Sequence, residues 1–214
     1  MSDFTLIIGN KNYSSWSLRG WLALKRTGVE FDETVVALRR ADTSERLKKH
    51  SPSAKVPMLK TPDGEVWDSL AICEYLAETF ADAELWPSDK KARAQARAVS
   101  AEMHSGFQAL RAMMPMDHRN TRAMPPLTED LKKDISRIDT IWQDCRNRFG
   151  QDGPFLYGDF CIADCMFAPV VSRFNTYQPA LLPAAQAYIG NVLEWPDMVD
   201  WAVAAKEESW VIEF

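Results

Sequence analysis

The feature that most constrains the fold is a change of sequence pattern near residue 80. Before it, short apolar runs alternate with amphipathic stretches, whereas nearly every later segment carries the apolar period of an α-helix. This pattern predicts an α/β domain over residues 1–81 and an all-α domain over residues 90–214. Residues 82–89, which include Pro87, are expected to link the two domains.

The α/β part predicts the element order β-α-β-α-β-β-α. The apolar run from Phe4 to Gly9 predicts a first strand, and the stretch after it predicts a helix that ends at Gly28. Asp63-Gly64 is a turn signal between two short apolar runs, so it predicts a β-hairpin. Beyond residue 89 the apolar spacing predicts five helices: Lys90 to about Met114, Leu127 to Phe149, an unusually apolar helix within Phe160 to Phe174, and two shorter helices near 183–193 and 196–206.

The charge balance argues against two classes of partner. The formal net charge is −5, whereas nucleic acids and anionic membranes attract basic patches. No run approaches the ~18 apolar residues of a membrane span, and the N-terminal residues lack the pattern of a signal peptide. The four cysteines form no CxxC pair and no zinc-finger spacing with the three histidines. We therefore expect free thiols, no metal and a cytoplasmic protein.

Two serines stand where the first predicted strand meets the first predicted helix, in the stretch YSSWSLRG. A helix N-terminus offers free N–H groups and the positive end of the helix dipole, so Ser14 or Ser15 can sit beside an anion there. The simpler interpretation is an N-cap, for which serine is a preferred residue.

Two further pairs of residues are candidates for binding a ligand. Val56-Pro57 precedes a strand, and a cis bond there would turn the Val56 backbone toward a peptide-like ligand. From the residues alone a trans bond is favoured, because only about 5–6% of X–Pro bonds in folded proteins are cis. Asp68-Ser69 ends a strand and opens a helix, where the side chains would suit an ammonium and a carboxylate, although a helix cap is the simpler interpretation.

In this order and at these spacings, the motifs resemble those of the soluble glutathione transferases over the whole chain. The resemblance is carried by the stretches YSSWSLRGWLAL, SPSAKVPML, WDSLAICEYL and GDFCIADCMFAPVV. The first is most similar to the zeta class and related bacterial transferases, whose pattern is Ser-Ser-Cys-Ser-x-Arg. The resemblance implies a thioredoxin-like domain followed by a helical domain. It also implies a cytoplasmic homodimer that conjugates glutathione to a small electrophile, or isomerises the electrophile, in detoxification.

The resemblance also implies a glutathione site, residue by residue. Ser14 matches the catalytic serine, and Val56, before a cis proline, would bind the cysteinyl backbone of glutathione. Asp68 and Ser69 would hold the γ-glutamyl end, where the family usually has Glu or Gln before Ser. Lys55 is a candidate for the glycine carboxylate, with a solvated surface lysine as the alternative.

Two positions depart from the family pattern. Trp16 replaces the cysteine of the zeta motif, which puts the isomerase chemistry of that class in doubt and weakens a thiol-reductase interpretation. Cys161 replaces the Ser or Thr that usually caps the buried helix, while Asp164 is kept. We expect Asp164 to have a structural role as part of that cap.

A single hydroxyl is sufficient to activate the glutathione thiol. A free thiol has a pKa of ~8.5, and lowering it by ~2 units requires about 2.7 kcal/mol in favour of the thiolate. A hydrogen bond to a charged group contributes about 1.5–3 kcal/mol, and a helix N-terminus roughly 0.3–1 kcal/mol. Ser14 is the expected donor, Tyr13 is the rival donor, and Ser15 is the expected helix cap.

The second substrate is expected to contact the helical domain. Candidates lie on the first long helix and after it: His104, Gln108, Arg111, His118, Arg119 and Arg122. Gln108 and Arg111 are the residues predicted to touch the electrophile, and the positive charge in this group favours an anionic one. A solvated polar face is the alternative interpretation.

Three other functions stay open at this point. The first is a non-catalytic transferase-like regulator or interaction protein, which the retained motif residues argue against. The second is an enzyme similar to maleylacetoacetate isomerase. The third is a glutathione-dependent reductase or dehalogenase; a reductase usually needs an active-site cysteine, and none lies near Ser14 in the motif.

Overall fold

The computed structural model describes residues 2–214. Its four strands all precede residue 68: β1 Thr5–Gly9, β2 Asp32–Val36, β3 Met58–Thr61 and β4 Gly64–Trp67. The helices interleaved with them are α1 Ser15–Arg26, α2 Thr43–Lys48 and α3 Ser69–Thr79. Six helices follow: α4 Lys90–Ser105, α5 Gln108–Met113, α6 Glu129–Phe149, α7 Ile162–Tyr177, α8 Pro183–Glu194 and α9 Pro196–Glu207. The predicted order β-α-β-α-β-β-α is confirmed.

The four strands form one mixed sheet in the order β2-β1-β3-β4. Strands β1 and β2 are parallel, with Ile7 opposite Thr34, whereas β1 pairs antiparallel with β3, where Ile7 lies opposite Met58. The predicted hairpin joins β3 to β4 with Lys60 opposite Glu65. This arrangement is the thioredoxin-like sheet that the resemblance implied, and it brings the ends of β1 and β4 to the N-termini of α1 and α3.

The larger of two buried apolar clusters among residues 2–214 runs from the sheet into the helical part. Leu18 and Leu22 of α1 and Ile72 and Leu76 of α3 are almost completely buried, and they belong to the same apolar cluster as Phe167 of α7. Each such side chain contributes about 1.5–3 kcal/mol through burial. Because α1 packs against both α3 and α7, its N-terminus lies between the two parts of the chain.

Helix α7 is the centre of the helical part. Every residue of it except Asn175 is buried, in agreement with its apolar sequence. Asp164 holds its first turn: one carboxylate oxygen accepts the Cys161 N–H at 2.9 Å, and the other accepts the Leu156 N–H at 3.1 Å and the Tyr188 hydroxyl at 3.0 Å. The predicted structural role of Asp164 is confirmed.

The prediction of one long helix from Lys90 to about Met114 is wrong. Helix α4 ends at Ser105, Gly106 is extended, and Phe107 has a left-handed backbone (φ 61°) before α5 begins. A Cβ on Gly106 would lie 2.9 Å from the Glu102 carbonyl oxygen, so glycine permits the break. His104 and Arg111 therefore lie on different helices.

None of the helices between residues 2 and 214 combines the length and the apolar character that crossing a membrane requires.

Candidate functional site

Ser14 holds the N-cap position of α1, but its hydroxyl caps no N–H group of that helix within residues 2–214. Its Oγ instead lies 2.7 Å from the Oγ of Ser17, which accepts the Gly9 N–H at 3.0 Å. Because Ser17 already accepts a hydrogen bond, its own hydrogen can point to Ser14. The hydrogen of the buried Ser14 hydroxyl is then free to donate into the adjoining pocket.

Ser15 has a different role from the expected one. It is the first residue of α1, and its Oγ accepts a hydrogen bond from Nη2 of Arg173 at 2.8 Å. The expectation that Ser15 caps the helix is wrong, because the cap position belongs to Ser14. Ser15 places a second hydroxyl in the same pocket, next to a guanidinium group.

Tyr13 faces the C-terminal segment. Its hydroxyl accepts a hydrogen bond from Nη2 of Arg119 at 2.7 Å, and its ring meets the ring of Phe214 edge-on at 5.5 Å. Arg119 also donates to the carbonyl groups of Glu208 and Trp210, each at 2.6 Å. The Tyr13 hydroxyl is thus engaged by Arg119.

The Val56-Pro57 bond is cis, as the resemblance implied. The backbone N–H and C=O of Val56 take part in no hydrogen bond within the part of the chain that the structure describes. Val56 and Pro57 line a pocket of about 550 Å³, which we call the peptide pocket. Its other lining residues are Trp16, Ser53, Lys55, Trp67, Asp68 and Ser69.

Asp68 and Ser69 form the junction between β4 and α3. Asp68 has φ 75°, and its Oδ1 accepts the N–H groups of Leu70 at 2.9 Å and Ala71 at 3.3 Å, so the predicted helix cap is present. Its Oδ2 lies 3.1 Å from Nε2 of His104. The Ser69 hydroxyl is buried and has no partner among residues 2–214. An unpaired buried hydroxyl at a helix N-terminus is suited to an anion.

A second pocket of about 300 Å³ lies next to the first, and we call it the serine pocket. Its lining is mostly apolar apart from the serines and arginines: Tyr13, Ser14, Ser15, Trp16, Leu38, Arg39, Val56, Arg111, Pro115, Met116, Arg173, Ile212 and Phe214. The two pockets share Trp16 and Val56. A ligand that lies along Val56 can therefore reach from the peptide pocket to the Ser14 hydroxyl.

Three arginines make the region around Trp16 positive. Arg19 is completely buried, and all three of its guanidinium nitrogens are without hydrogen-bond partners inside residues 2–214. Its guanidinium carbon lies 4.5 Å from the centre of the Trp16 ring, and that of Arg111 lies 4.8 Å from it. Burial, together with Arg111 and Arg173, lowers the pKa of Arg19 well below its usual range.

Arg173 is the residue that sequence reasoning missed. It is buried, it projects from α7, and it donates to the Met114 and Pro169 carbonyl groups as well as to Ser15. Burial, with Arg111 nearby, lowers the pKa of Arg173 to about 9. The one basic residue of this unusually apolar helix is the signal that would have found it, because a buried charge needs a reason.

Of the residues predicted for the second substrate, the structure brings only Arg111 into the serine pocket. The Gln108 amide donates to the Ser105 carbonyl at 3.1 Å, and Gln108 lines neither pocket. Arg122 pairs with the buried Asp117 at 2.8 Å. The contact of Gln108 with an electrophile stays a prediction.

His118 yields a prediction about acid stability. Burial lowers the pKa of His118 to about 4, and its Nε2 lies 3.3 Å from the Ser172 hydroxyl. In the unfolded chain the histidine takes up a proton at pH ~6.5. The free energy of unfolding therefore falls by about 2–3 kcal/mol as pH falls from ~6.5 to ~4. Replacing His118 with asparagine should flatten this part of the curve of unfolding free energy against pH, measured by urea titration.

The control for this prediction is the same substitution at His50, which is partly exposed. His50→Asn should leave the acid limb of the curve unchanged. An acid limb that is equally steep in His118→Asn and in the parent protein would contradict the account.

Several known proteins share sequence with this chain. The pattern of the glutathione S-transferase N-terminal domain matches residues 13–79. A probable maleylacetoacetate isomerase from Caenorhabditis elegans is 38% identical over 170 residues, covering 79% of this chain and 78% of the relative. A stringent starvation protein A homolog from Coxiella burnetii is 28% identical over 172 residues, covering 80% of this chain and 76% of the relative. The chain therefore belongs to the glutathione S-transferase family of enzymes.

Solved structures agree on the fold. A glutathione transferase homolog from Burkholderia, crystallised with bound glutathione, superposes with a TM-score of 0.74 over 96% of this chain and 99% of that chain, at 22% identity. At that identity the likeness supports the fold alone.

Proposed function

We propose that this enzyme activates the thiol of glutathione through the Ser14 hydroxyl and transfers the sulfur to a small anionic electrophile. One observation carries the proposal: the Ser14 hydroxyl makes no cap hydrogen bond, although it occupies the cap position, and it opens into the serine pocket. When Ser17 donates to the Ser14 oxygen, the Ser14 hydrogen remains available for the thiolate.

Glutathione would lie in the peptide pocket. The unpaired backbone groups of Val56 suit the cysteinyl residue, which pairs like a strand with an extended peptide. Ser69 and the N–H groups of α3 suit the γ-glutamyl carboxylate, and Asp68 suits its ammonium group. Lys55, exposed at the rim of the same pocket, is the proposed partner of the glycine carboxylate.

The thiolate is stabilised by several groups. The Ser14 hydrogen bond is worth about 1.5–3 kcal/mol and the α1 N-terminus roughly 0.3–1 kcal/mol. The guanidinium groups of Arg111 and Arg173, which line the same pocket, add favourable charge. In the reaction the bound thiol releases its proton to water, and the thiolate sulfur forms a bond to an electrophilic carbon. A halide then leaves with the electron pair of its bond, or a conjugated double bond takes up the electrons and later a proton.

The charges of the serine pocket favour an anionic second substrate. The hydrogen bonds of Arg111 and Arg173 go to neutral carbonyl and hydroxyl groups, namely those of Met103, Gly106, Met114, Pro169 and Ser15. Asp134 already acts on Arg111, whereas no carboxylate acts on Arg173 within residues 2–214, so a carboxylate on the electrophile would supply the negative charge that Arg173 lacks.

An isomerase of the maleylacetoacetate type is the second candidate. The name of the Caenorhabditis elegans relative favours it, and its substrate class would be anionic. Trp16, in place of the motif cysteine, sits between the two pockets and argues against it. The stoichiometry decides: an isomerase leaves the glutathione concentration unchanged while a cis double bond becomes trans, whereas a transferase consumes one glutathione for each product.

A non-catalytic role is the third candidate, since the Coxiella burnetii relative has a name that is not that of a transferase. Retention on immobilised glutathione, followed by a lowered pKa of the bound thiol, supports the enzyme. Failure to bind glutathione would overturn the proposal. The proposal also includes two domains, residues 1–81 and 90–214, joined by a linker at 82–89. It further includes a cytoplasmic location and a homodimer, which sedimentation analysis tests.

A further inference from the structure

Asp68 has one carboxylate oxygen left for a ligand. Its Oδ1 accepts the N–H groups of Leu70 and Ala71 and so belongs to the cap of α3. Aspartate is also one methylene shorter than the Glu or Gln that the family usually has at this position. The ammonium-binding capacity of this residue therefore depends on where Oδ2 points.

His104 of α4 determines that direction. Its Nε2 lies 3.1 Å from Oδ2 of Asp68, in a contact that joins the sheet part of the chain to the helical part. The ring of His104 also meets the Trp16 ring edge-on, with 5.2 Å between centroids. Trp16 and Asp68 both line the peptide pocket, so His104 contacts two of its lining residues.

The surroundings of His104 favour the neutral ring. The charged groups that face it are Asp68 from the start of α3, Arg19 from α1 and Arg111 from α5. Burial lowers the pKa of His104, the two arginines lower it further, and Asp68 opposes them. A neutral imidazole with Nε2 against a carboxylate carries its hydrogen on Nε2, and so it donates to Asp68.

We propose that His104 is a positioning residue for the γ-glutamyl ammonium group of glutathione and that it acts through Asp68. This inference rests on the proposed glutathione site. By donating to Oδ2, His104 fixes the Asp68 carboxylate in one orientation and leaves a lone pair of Oδ2 for the ammonium. Without that donor the carboxylate turns more freely, and ordering it again on binding lowers the affinity.

The test compares two tripeptides that differ only in the amino group. Glutaryl-cysteinyl-glycine lacks the ammonium group of glutathione and keeps both carboxylates. Titration calorimetry measures both affinities. His104→Leu should lower the affinity for glutathione about 10-fold, which equals the ~1.4 kcal/mol of one modest charged hydrogen bond. The same substitution should leave the affinity for glutaryl-cysteinyl-glycine unchanged. His104→Gln, whose amide can place an N–H near the position of Nε2, should restore most of the affinity for glutathione.

A double variant and two other outcomes complete the test. Asp68→Asn together with His104→Leu should bind glutathione no more weakly than Asp68→Asn alone, because His104 acts through Asp68. Equal losses for both tripeptides in His104→Leu would overturn the inference and assign His104 to packing. Unchanged affinity for glutathione would overturn it as well. If the parent protein binds neither tripeptide, the proposed glutathione site itself is wrong.

Discussion

Replacing Ser14 with alanine should lower kcat/KM at neutral pH by about 10- to 100-fold, because the thiolate loses a charged hydrogen bond worth about 1.5–3 kcal/mol. The loss should shrink as pH rises toward the pKa of the free thiol, since the thiolate then forms without help. The KM for glutathione should change little, because in the proposed site most of the tripeptide would contact the other residues of the peptide pocket. Initial rates measured across a pH series check both effects.

Neighbouring substitutions serve as matched controls. Tyr13→Phe should retain nearly full activity, because its hydroxyl faces Arg119. Ser17→Ala should lose less activity than Ser14→Ala, since Ser17 orients Ser14 and accepts the Gly9 N–H but does not touch the thiol in the proposed site. Two results together would assign the role to Ser15 instead. In that case Ser14→Ala keeps full activity, and Ser15→Ala loses about 10- to 100-fold in kcat/KM.

Replacing Arg173 with methionine should lower kcat/KM for an anionic electrophile by about 30- to 300-fold. Removing one partner of a buried charged contact costs about 2–3.5 kcal/mol. The suitable pair of substrates is 4-(chloromethyl)benzoate and benzyl chloride, which react with a thiolate by the same loss of chloride and differ in the carboxylate. For benzyl chloride, kcat/KM should fall by less than about 5-fold, because Arg173 then acts only by stabilising the thiolate.

The same pair of substrates separates specific binding from general damage. Arg111→Met should act like Arg173→Met but more weakly, because Arg111 is only partly buried. Arg137 pairs with Glu102 on the surface, outside both pockets, so Arg137→Met is the control and should leave both rates unchanged. Equal losses for the two substrates in Arg173→Met would contradict the assignment of an anionic electrophile.

The sheet and most helices could be predicted because their signals are local. The Asp63-Gly64 turn and the apolar spacing of α6 and α7 are properties of a few neighbouring residues. The break between α4 and α5 has no comparable signal, since a single glycine is tolerated in many helices. Its cause is tertiary: Asp134 of α6 accepts the Leu110 N–H at 3.0 Å and so holds α5 separately.

The parts of the candidate site that follow one another along the chain could be predicted, whereas the contacts between distant segments could not. Ser14, Val56 and Asp68-Ser69 stand next to strand and helix ends that the sequence indicates. The contact of Arg173 with Ser15 spans 158 positions, and that of His104 with Asp68 joins α4 to the start of α3. Local patterns encode neither contact, because each depends on how α7 and α4 pack against the first part of the chain.

The most direct test of the central claim is the pKa of the glutathione thiol when it is bound. Thiolate absorbance in the ultraviolet, followed against pH with saturating glutathione, measures it for the parent protein and for Ser14→Ala. We expect a bound pKa about 2 units below the ~8.5 of the free thiol in the parent protein, and a value near that of the free thiol in Ser14→Ala. The same lowered pKa in both proteins would contradict activation by Ser14.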